Sequence, residues 1–219
     1  IAQTAEKTGK SVLGTGINPG YLMDLLPITL SGPLKSVESI EVTRVINSSR
    51  RRASFQKKIG TGMRKDQFFK SIADGDITGH VGLVESIRMI DDALNLGLDH
   101  IEELPVEPVI AESPVKTSYA SVDTGDVLGL KSRGIGNRGE ETVIVLDFFA
   151  YADASPEYDE VKIIGDPNLT QRVEGGVHGD VGTVAMVLNM IPIVVSAYPG
   201  LYTMKDLPSP RNTERVLKD

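Results

Sequence analysis

A change of hydrophobic period near residue 100 constrains this chain more than any other feature. Before it, apolar residues recur at helical spacing: Leu83, Ile87, Ile90 and Leu94 form one stripe over Leu83 to Leu96, with Gly97 at the position of a C-terminal cap. After it the period is two. Ile101 to Ile110 carry Pro105 and Pro108, which confines them to a sheet edge or a bulge. Val127 to Arg133 and Thr142 to Tyr151 read as a hairpin around Gly134 to Gly139. Tyr158 to Ile164 and Leu169 to Glu174 add two strands joined by the turn Gly165-Asp166-Pro167-Asn168. Upstream, Val37 to Ile46 alternate, with Ile40, Val42, Arg44 and Ile46 on one face, while Tyr21 to Leu30 and Lys65 to Asp74 are helical. Asp180 to Ile191 form an apolar helix, followed by a Pro-rich tail from Tyr198 to Arg211. The order predicts an α+β layer: a mostly antiparallel or mixed sheet with helices on one face.

The start has a different character. Ile1 to Thr8 read as the end of a helix stopped by Gly9, and Val12-Leu13 as a very short strand. A helix end followed by a strand end is the tail of a βα repeat, so a further unit is expected upstream.

Composition excludes several classes. A net charge of -7 argues against nucleic-acid binding, which needs clustered Lys and Arg. The dense basic run Arg50-Arg51-Arg52, with Lys57-Lys58, reads as a solvated loop or as a holder for a substrate carboxylate. Zero cysteine removes disulfides, thiolate zinc sites and cysteine nucleophiles, and is compatible with a cytoplasmic location. Val181 to Met204 are uncharged but broken by Asn189, Pro192, Pro199 and Gly200, so a buried helix ending near Pro192 is expected rather than a membrane span. Three scattered histidines and no acidic loop predict no metal site.

Two glycine patterns invite comparison with nucleotide-binding loops. Gly134-Ile135-Gly136-Asn137-Arg138-Gly139 satisfies G-x-G-x-x-G as a string, but the chain then enters a strand, whereas a pyrophosphate needs the N-terminus of a helix. These glycines are assigned to a hairpin turn. Gly14-Thr15-Gly16-Ile17-Asn18-Pro19-Gly20 is a poor phosphate cradle, because Pro19 removes a donor. It suits a close-approach loop at the carboxyl end of a strand, where α/β sheets bind their ligands, and Asn18 can offer an amide to a carboxamide or an amine.

Three segments in order carry a family resemblance. Leu13-Gly14-Thr15-Gly16-Ile17-Asn18-Pro19-Gly20-Tyr21-Leu22-Met23-Asp24 resembles the domain crossover of 2,4-diaminopentanoate dehydrogenases. Gly175-Gly176-Val177-His178-Gly179-Asp180-Val181-Gly182-Thr183 resembles their glycine-histidine segment, and Tyr202-Thr203-Met204-Lys205-Asp206-Leu207-Pro208 their closing tail. The resemblance implies oxidative deamination of a diamino acid with NAD or NADP, and a Rossmann domain upstream that carries the phosphate fingerprint. On that reading residues 1–20 are the end of the dinucleotide-binding domain and the crossover loop. Residues 21–197 then form the substrate-binding and oligomerisation domain, and 198–219 a tail returning toward the dinucleotide domain. The His-His…Lys segment and the Pro-Ser-Gly-Thr loop of the related dihydrodipicolinate reductases have no counterpart here.

Amine oxidation by hydride transfer needs a neutral, oriented amine, an anchored carboxylate and an activated water. His178 and His80 are the candidate bases, with Glu85, one turn into the following helix, as the orienter of His80. His100 reads as a surface residue. Gly179, Asp180 and Thr183, at the start of the last helix, are candidate carboxylate binders, although Asp180 also suits a helix cap. Arg44, inward on its strand, requires a partner: a substrate carboxylate or a buried acid. Gly14, Gly16, Asn18 and Pro19 are the candidate cofactor contacts. A homodimer or homotetramer is expected, because such sheets pair across subunits. A ligand-sensing or oligomerisation module without redox activity, or a dihydrodipicolinate reductase-like oxidoreductase, shares the same layout.

Overall fold

In this computed structural model residues 1–212 are described. Residues 213–219 of the expected tail lie outside the described residues. Along the chain, α1 (Ala2–Thr8) leads into β1 (Ser11–Leu13), and α2 (Leu25–Ser31) into β2 (Ser36–Asn47). Three helices follow: α3 (Ala53–Lys58), α4 (Lys65–Ala73) and α5 (Leu83–Leu94). Then come β3 (His100–Glu103), β4 (Glu107–Ile110), β5 (Val115–Lys116), β6 (Ser121–Val122), β7 (Val127–Arg138), β8 (Glu141–Tyr151), β9 (Tyr158–Asp166) and β10 (Leu169–Glu174). The chain closes with α6 (Gly179–Val195), β11 (Gly200–Tyr202) and a single 3-10 turn at Met204–Asp206.

Alternation determines which side chains the main sheet buries. Ile40, Val42 and Arg44 of β2 lie level with Ile144, Leu146 and Phe148 of β8, and all six are buried. Val161 and Ile163 of β9 join them on the same face. Helices cover that face, with Leu83, Ile87 and Ile90 of α5, Phe68 of α4, and Met186 and Met190 of α6 contributing to one core. Burying each such side chain contributes about 1.5–3 kcal/mol.

The sheet order is β10-β9-β2-β8-β7-β3, with β4 also on β7. Its centre makes the sheet a mixed one, within the expected class: β2 inserts between β8 and β9 and runs parallel to β8. Period-two alternation reveals the buried face but not the neighbour, so this insertion is invisible in the pattern. Other boundaries also shift. β7 continues through Gly134 and Gly136, leaving only Gly139, at φ 60°, in the hairpin turn. α2 begins at Leu25 because the Asp24 carboxylate accepts the N–H groups of Gly20 and Leu25. α5 is capped by Asn95 in the left-handed conformation rather than by Gly97. The basic run contains α3, and α6 continues past Pro192 to Val195.

β11 pairs with β1 in parallel, Ser11 opposite Gly200 and Leu13 opposite Tyr202, so the tail returns to the first strand. α6 shows two apolar faces. Gly182, Met186 and Met190 are buried, whereas Val181, Val184, Leu188, Ile191 and Val195 are exposed. No described helix is long and apolar enough to cross a membrane.

Candidate active site

The corner after β1 is seated by two helix starts that lack side chains. A Cβ at Gly82, the N-cap of α5, would overlap the Pro19 ring, and one at Gly182 in α6 would lie 2.9 Å from Ile17 Cδ1. Both glycines therefore let the Ile17–Pro19 corner pack directly against α5 and α6. Asp24 ties the same corner down: fully buried, it accepts from Gly20 N–H at 2.8 Å, Leu25 N–H at 2.6 Å and the Ser86 hydroxyl at 2.8 Å. Burial pushes its carboxyl above the ordinary value, against the pull of those three donors.

Asn18 projects from this corner to His80, with Nδ2 and Nε2 2.6 Å apart. His80 stacks on Phe148 of β8 at 4.2 Å between centroids, and its backbone N–H donates to Ser132 Oγ. Desolvation, then the charges of Arg44 and Lys58, lower its pKa to about 4, so His80 is neutral at physiological pH. With the amide nitrogen as donor, Nε2 accepts and the ring proton sits on Nδ1. Around the pair lies a cleft of about 400 Å³, lined also by Arg52, Ser54, Phe55, Lys58, Ile59 and Leu130.

A second pocket, of about 190 Å³, adjoins the start of α6 and is lined by Arg44, Arg50, Arg51, Glu157, Asp159 and His178. Here a buried ion pair grips both backbone groups of one residue, Val177. Arg44 Nη2 donates to the Val177 carbonyl at 2.6 Å, Val177 N–H donates to Asp159 Oδ2 at 2.7 Å, and Arg44 Nε lies 3.6 Å from Asp159 Oδ1. Desolvation is the largest influence on both, lowering Arg44 and raising Asp159, and their mutual attraction opposes it. Arg44 thus has a protein acid as partner, and the clamp holds the segment that presents His178. His178 itself is exposed at the N-cap of α6. Gly179 leaves room beside the guanidinium groups of Arg51 and Arg44, and Asp180 pairs with Arg51 at 3.3 Å and Arg52 at 3.6 Å.

The expected site residues therefore fall into two adjoining groups. Asn18 and His80 share one cleft; Arg44, His178, Gly179 and Asp180 surround the other pocket. Arg51 and Arg52, one lining each, both reach Asp180. Glu85 joins neither: it is exposed on α5, where its charge adds to the burial that raises Glu103, and it is not among the residues around His80. Thr183 points outward and donates back to the Gly179 carbonyl at 2.8 Å, a bond internal to the helix. Gly14 is exposed, and its N–H donates to the Tyr202 carbonyl. His100 is exposed beside Glu102. Asp24 and Ser86 were not legible as site residues, because each fits an ordinary helix position. Among the described residues no cluster of His, Asp and Glu could hold a metal ion.

Known proteins resemble this chain in sequence and fold. A family model described as the 2,4-diaminopentanoate dehydrogenase C-terminal domain matches residues 21–219. The curated 2,4-diaminopentanoate dehydrogenase of Acetoanaerobium sticklandii is 38% identical over 217 residues, covering 96% of this chain and 61% of that protein. Among solved structures, the amine dehydrogenase from Mycobacterium smegmatis superposes with a TM-score of 0.70 at 22% identity, over 96% of this chain and 62% of its own, and shares the fold. The chain spans about three fifths of the length of either protein. With the family model covering nearly its whole length, the chain belongs to the 2,4-diaminopentanoate dehydrogenase C-terminal domain family.

Proposed function

We propose that this chain is the substrate-binding and assembly half of an NAD- or NADP-dependent amine dehydrogenase. Its substrate would be 2,4-diaminopentanoate or a similar diamino acid, deaminated oxidatively to a ketone and ammonia. The observation that carries this reading is the meeting of Asn18, from the crossover corner, with His80, from the sheet domain, at 2.6 Å in one cleft. That juxtaposition lies where an α/β sheet places its ligand, outside the carboxyl end of a strand.

Loss of hydride from the carbon bearing the amine leaves an imine, which water hydrolyses to the ketone and ammonia. Bound NAD or NADP would supply the hydride acceptor. The corner fits the carboxamide end of such a group: Thr15 Oγ1 and Asn18 Oδ1 are buried without a hydrogen-bond partner, and the space beside Gly14 is open. Gly16 and Pro19 shape the corner, Pro19 through its contact with Gly82. Gly134 and Gly136 of β7 are covered by α5, so the phosphates would be held by an upstream Rossmann domain. The β1–β11 pair supports such a domain, because two parallel strands alone are not a stable sheet and parallel sheets are covered on both faces. Residues 1–20 would then close that domain, 21–197 hold the substrate, and the tail rejoin it through β11.

The cleft also favours a reactive amine. The burial and cationic surroundings that keep His80 neutral disfavour an ammonium placed beside it, so the substrate nitrogen keeps its lone pair. His80 then acts as the acceptor that orients Asn18 rather than as a strong base. His178, exposed at the start of α6, is the candidate for moving protons to and from water. A homodimer or homotetramer would use the sheet face opposite the helices, where Arg133–Asp147 and Arg172–Glu160 ion pairs sit among half-buried Val145, Phe149 and Tyr151. A cytoplasmic location agrees with the absence of cysteine.

The test is a turnover assay on the complete gene product with a panel of amino acids and amines. Reduced nicotinamide and ammonia appearing in equal amounts with 2,4-diaminopentanoate is the expected result. Neither product with any amine would end the dehydrogenase reading.

A further inference from the structure

The charged lining of the Asn18–His80 cleft is one-sided. Arg52 and Lys58 are its cations, and no Asp or Glu contributes to its wall. Arg52 is already paired, 3.6 Å from Asp180. Lys58, at the end of α3, makes no ion pair among the described residues, yet it lines the same cleft as His80. Beside Ser54, Asn18 and His80, the wall includes apolar Phe55, Ile59, Leu130 and Phe148. Lys58 is exposed at the rim of this half-open, partly apolar cleft, where its attraction for an anion is stronger than in open water. By contrast, the neighbouring pocket sets two acids, Asp159 and Glu157, against its three arginines.

We propose that Lys58 anchors the carboxylate of the substrate while the reacting amine lies at the Asn18–His80 end, making Lys58 the residue that separates amino acids from carboxylate-free amines. This rests on the dehydrogenase reading and narrows its substrate class. The substrate carries a carboxylate and an amine at opposite ends of a short chain, and a simple alkylamine leaves the lysine unpaired. The charge of Lys58, after burial and Arg44, also lowers His80, so the lysine lies near enough to act on the same cleft.

Two measurements on the complete gene product test it. The first compares kcat/KM for 2,4-diaminopentanoate with that for 1,3-diaminobutane, the same diamine without its carboxylate. Lys58→Gln should reduce the preference for the amino acid about 10- to 100-fold, the size of a lost charge-assisted hydrogen bond, and Lys58→Arg should restore part of it. The second follows binding of pentanoate by saturation-transfer NMR, with pentylamine as control, and needs no turnover. Lys58→Gln should weaken pentanoate at least about tenfold and should not weaken pentylamine. An unchanged substrate preference, or equal pentanoate binding by both proteins, overturns the assignment. Pentanoate binding that depends on Lys58 in a protein that oxidises no amine would instead show that the redox reading has failed while the anion site stands.

Discussion

His80 ties the electrostatics of the cleft to the stability of the fold. Its folded pKa of about 4 lies below the ordinary 6.5, so the native state resists a proton that the unfolded chain accepts. The stabilisation is complete above pH 6.5 and is lost as pH falls toward about 4, with a slope from this group approaching about 1.4 kcal/mol per pH unit. Urea unfolding of wild type and His80→Gln across that range should show the slope in the first and a flatter curve in the second; identical curves would contradict the part-buried neutral imidazole. Asp24 predicts a loss of another kind. Asp24→Ala strands two backbone N–H groups and the Ser86 hydroxyl, at a cost of about 2–4 kcal/mol measured by the same method. His80 and Asn18 were legible because histidine is rare here and Asn18 sits in a glycine-proline loop. Asp24 was not: in the run Tyr21 to Leu30 a carboxylate looks like an outward position on a helix, and only the tertiary contact with Ser86 reveals it.

Among the elements, β7 shows how one string of residues can serve different ends. Gly134 and Gly136 carry no phosphate and make no turn; they are bare because α5 lies directly on them, with Leu83 and Ile87 about 3 Å from where a Cβ would stand. Gly134→Ala should therefore cost about 1–3 kcal/mol, partly recovered by Ile87→Val, while Gly139→Asn in the real turn should cost less than about 1 kcal/mol. Equal costs would mean that helix packing is not what excludes a side chain. The Arg44–Asp159 clamp is a second element-scale feature. Arg44→Leu leaves Asp159 buried without its cation, at about 3–5 kcal/mol, and adding Asp159→Leu should recover part of that loss. Additive losses would deny the coupling. Strand faces, the long helices and the inward Arg44 followed from periodicity alone. The parallel β2–β8 pairing and the acid that meets Arg44 did not, because both depend on which strands lie side by side.

At the scale of the whole molecule, everything rests on the corner at Ile17–Pro19 seating against the starts of both α5 and α6. That arrangement puts the Gly14–Gly20 loop, the sheet face and the glycine-histidine segment around one region, although they lie far apart in sequence. On the proposed reading this chain alone binds NAD or NADP weakly, since its glycine-rich strand is covered, and calorimetry showing tight binding would contradict that. Light scattering should report a dimer or larger; a monomer would remove the proposed pairing of sheet faces. The most direct test of the central claim is the effect of Asn18→Ala on turnover of 2,4-diaminopentanoate by the complete gene product. A fall of about a hundredfold in kcat/KM at an unchanged melting temperature is predicted, because the corner then no longer positions the reacting end. Undiminished turnover would mean that the chemistry takes place elsewhere.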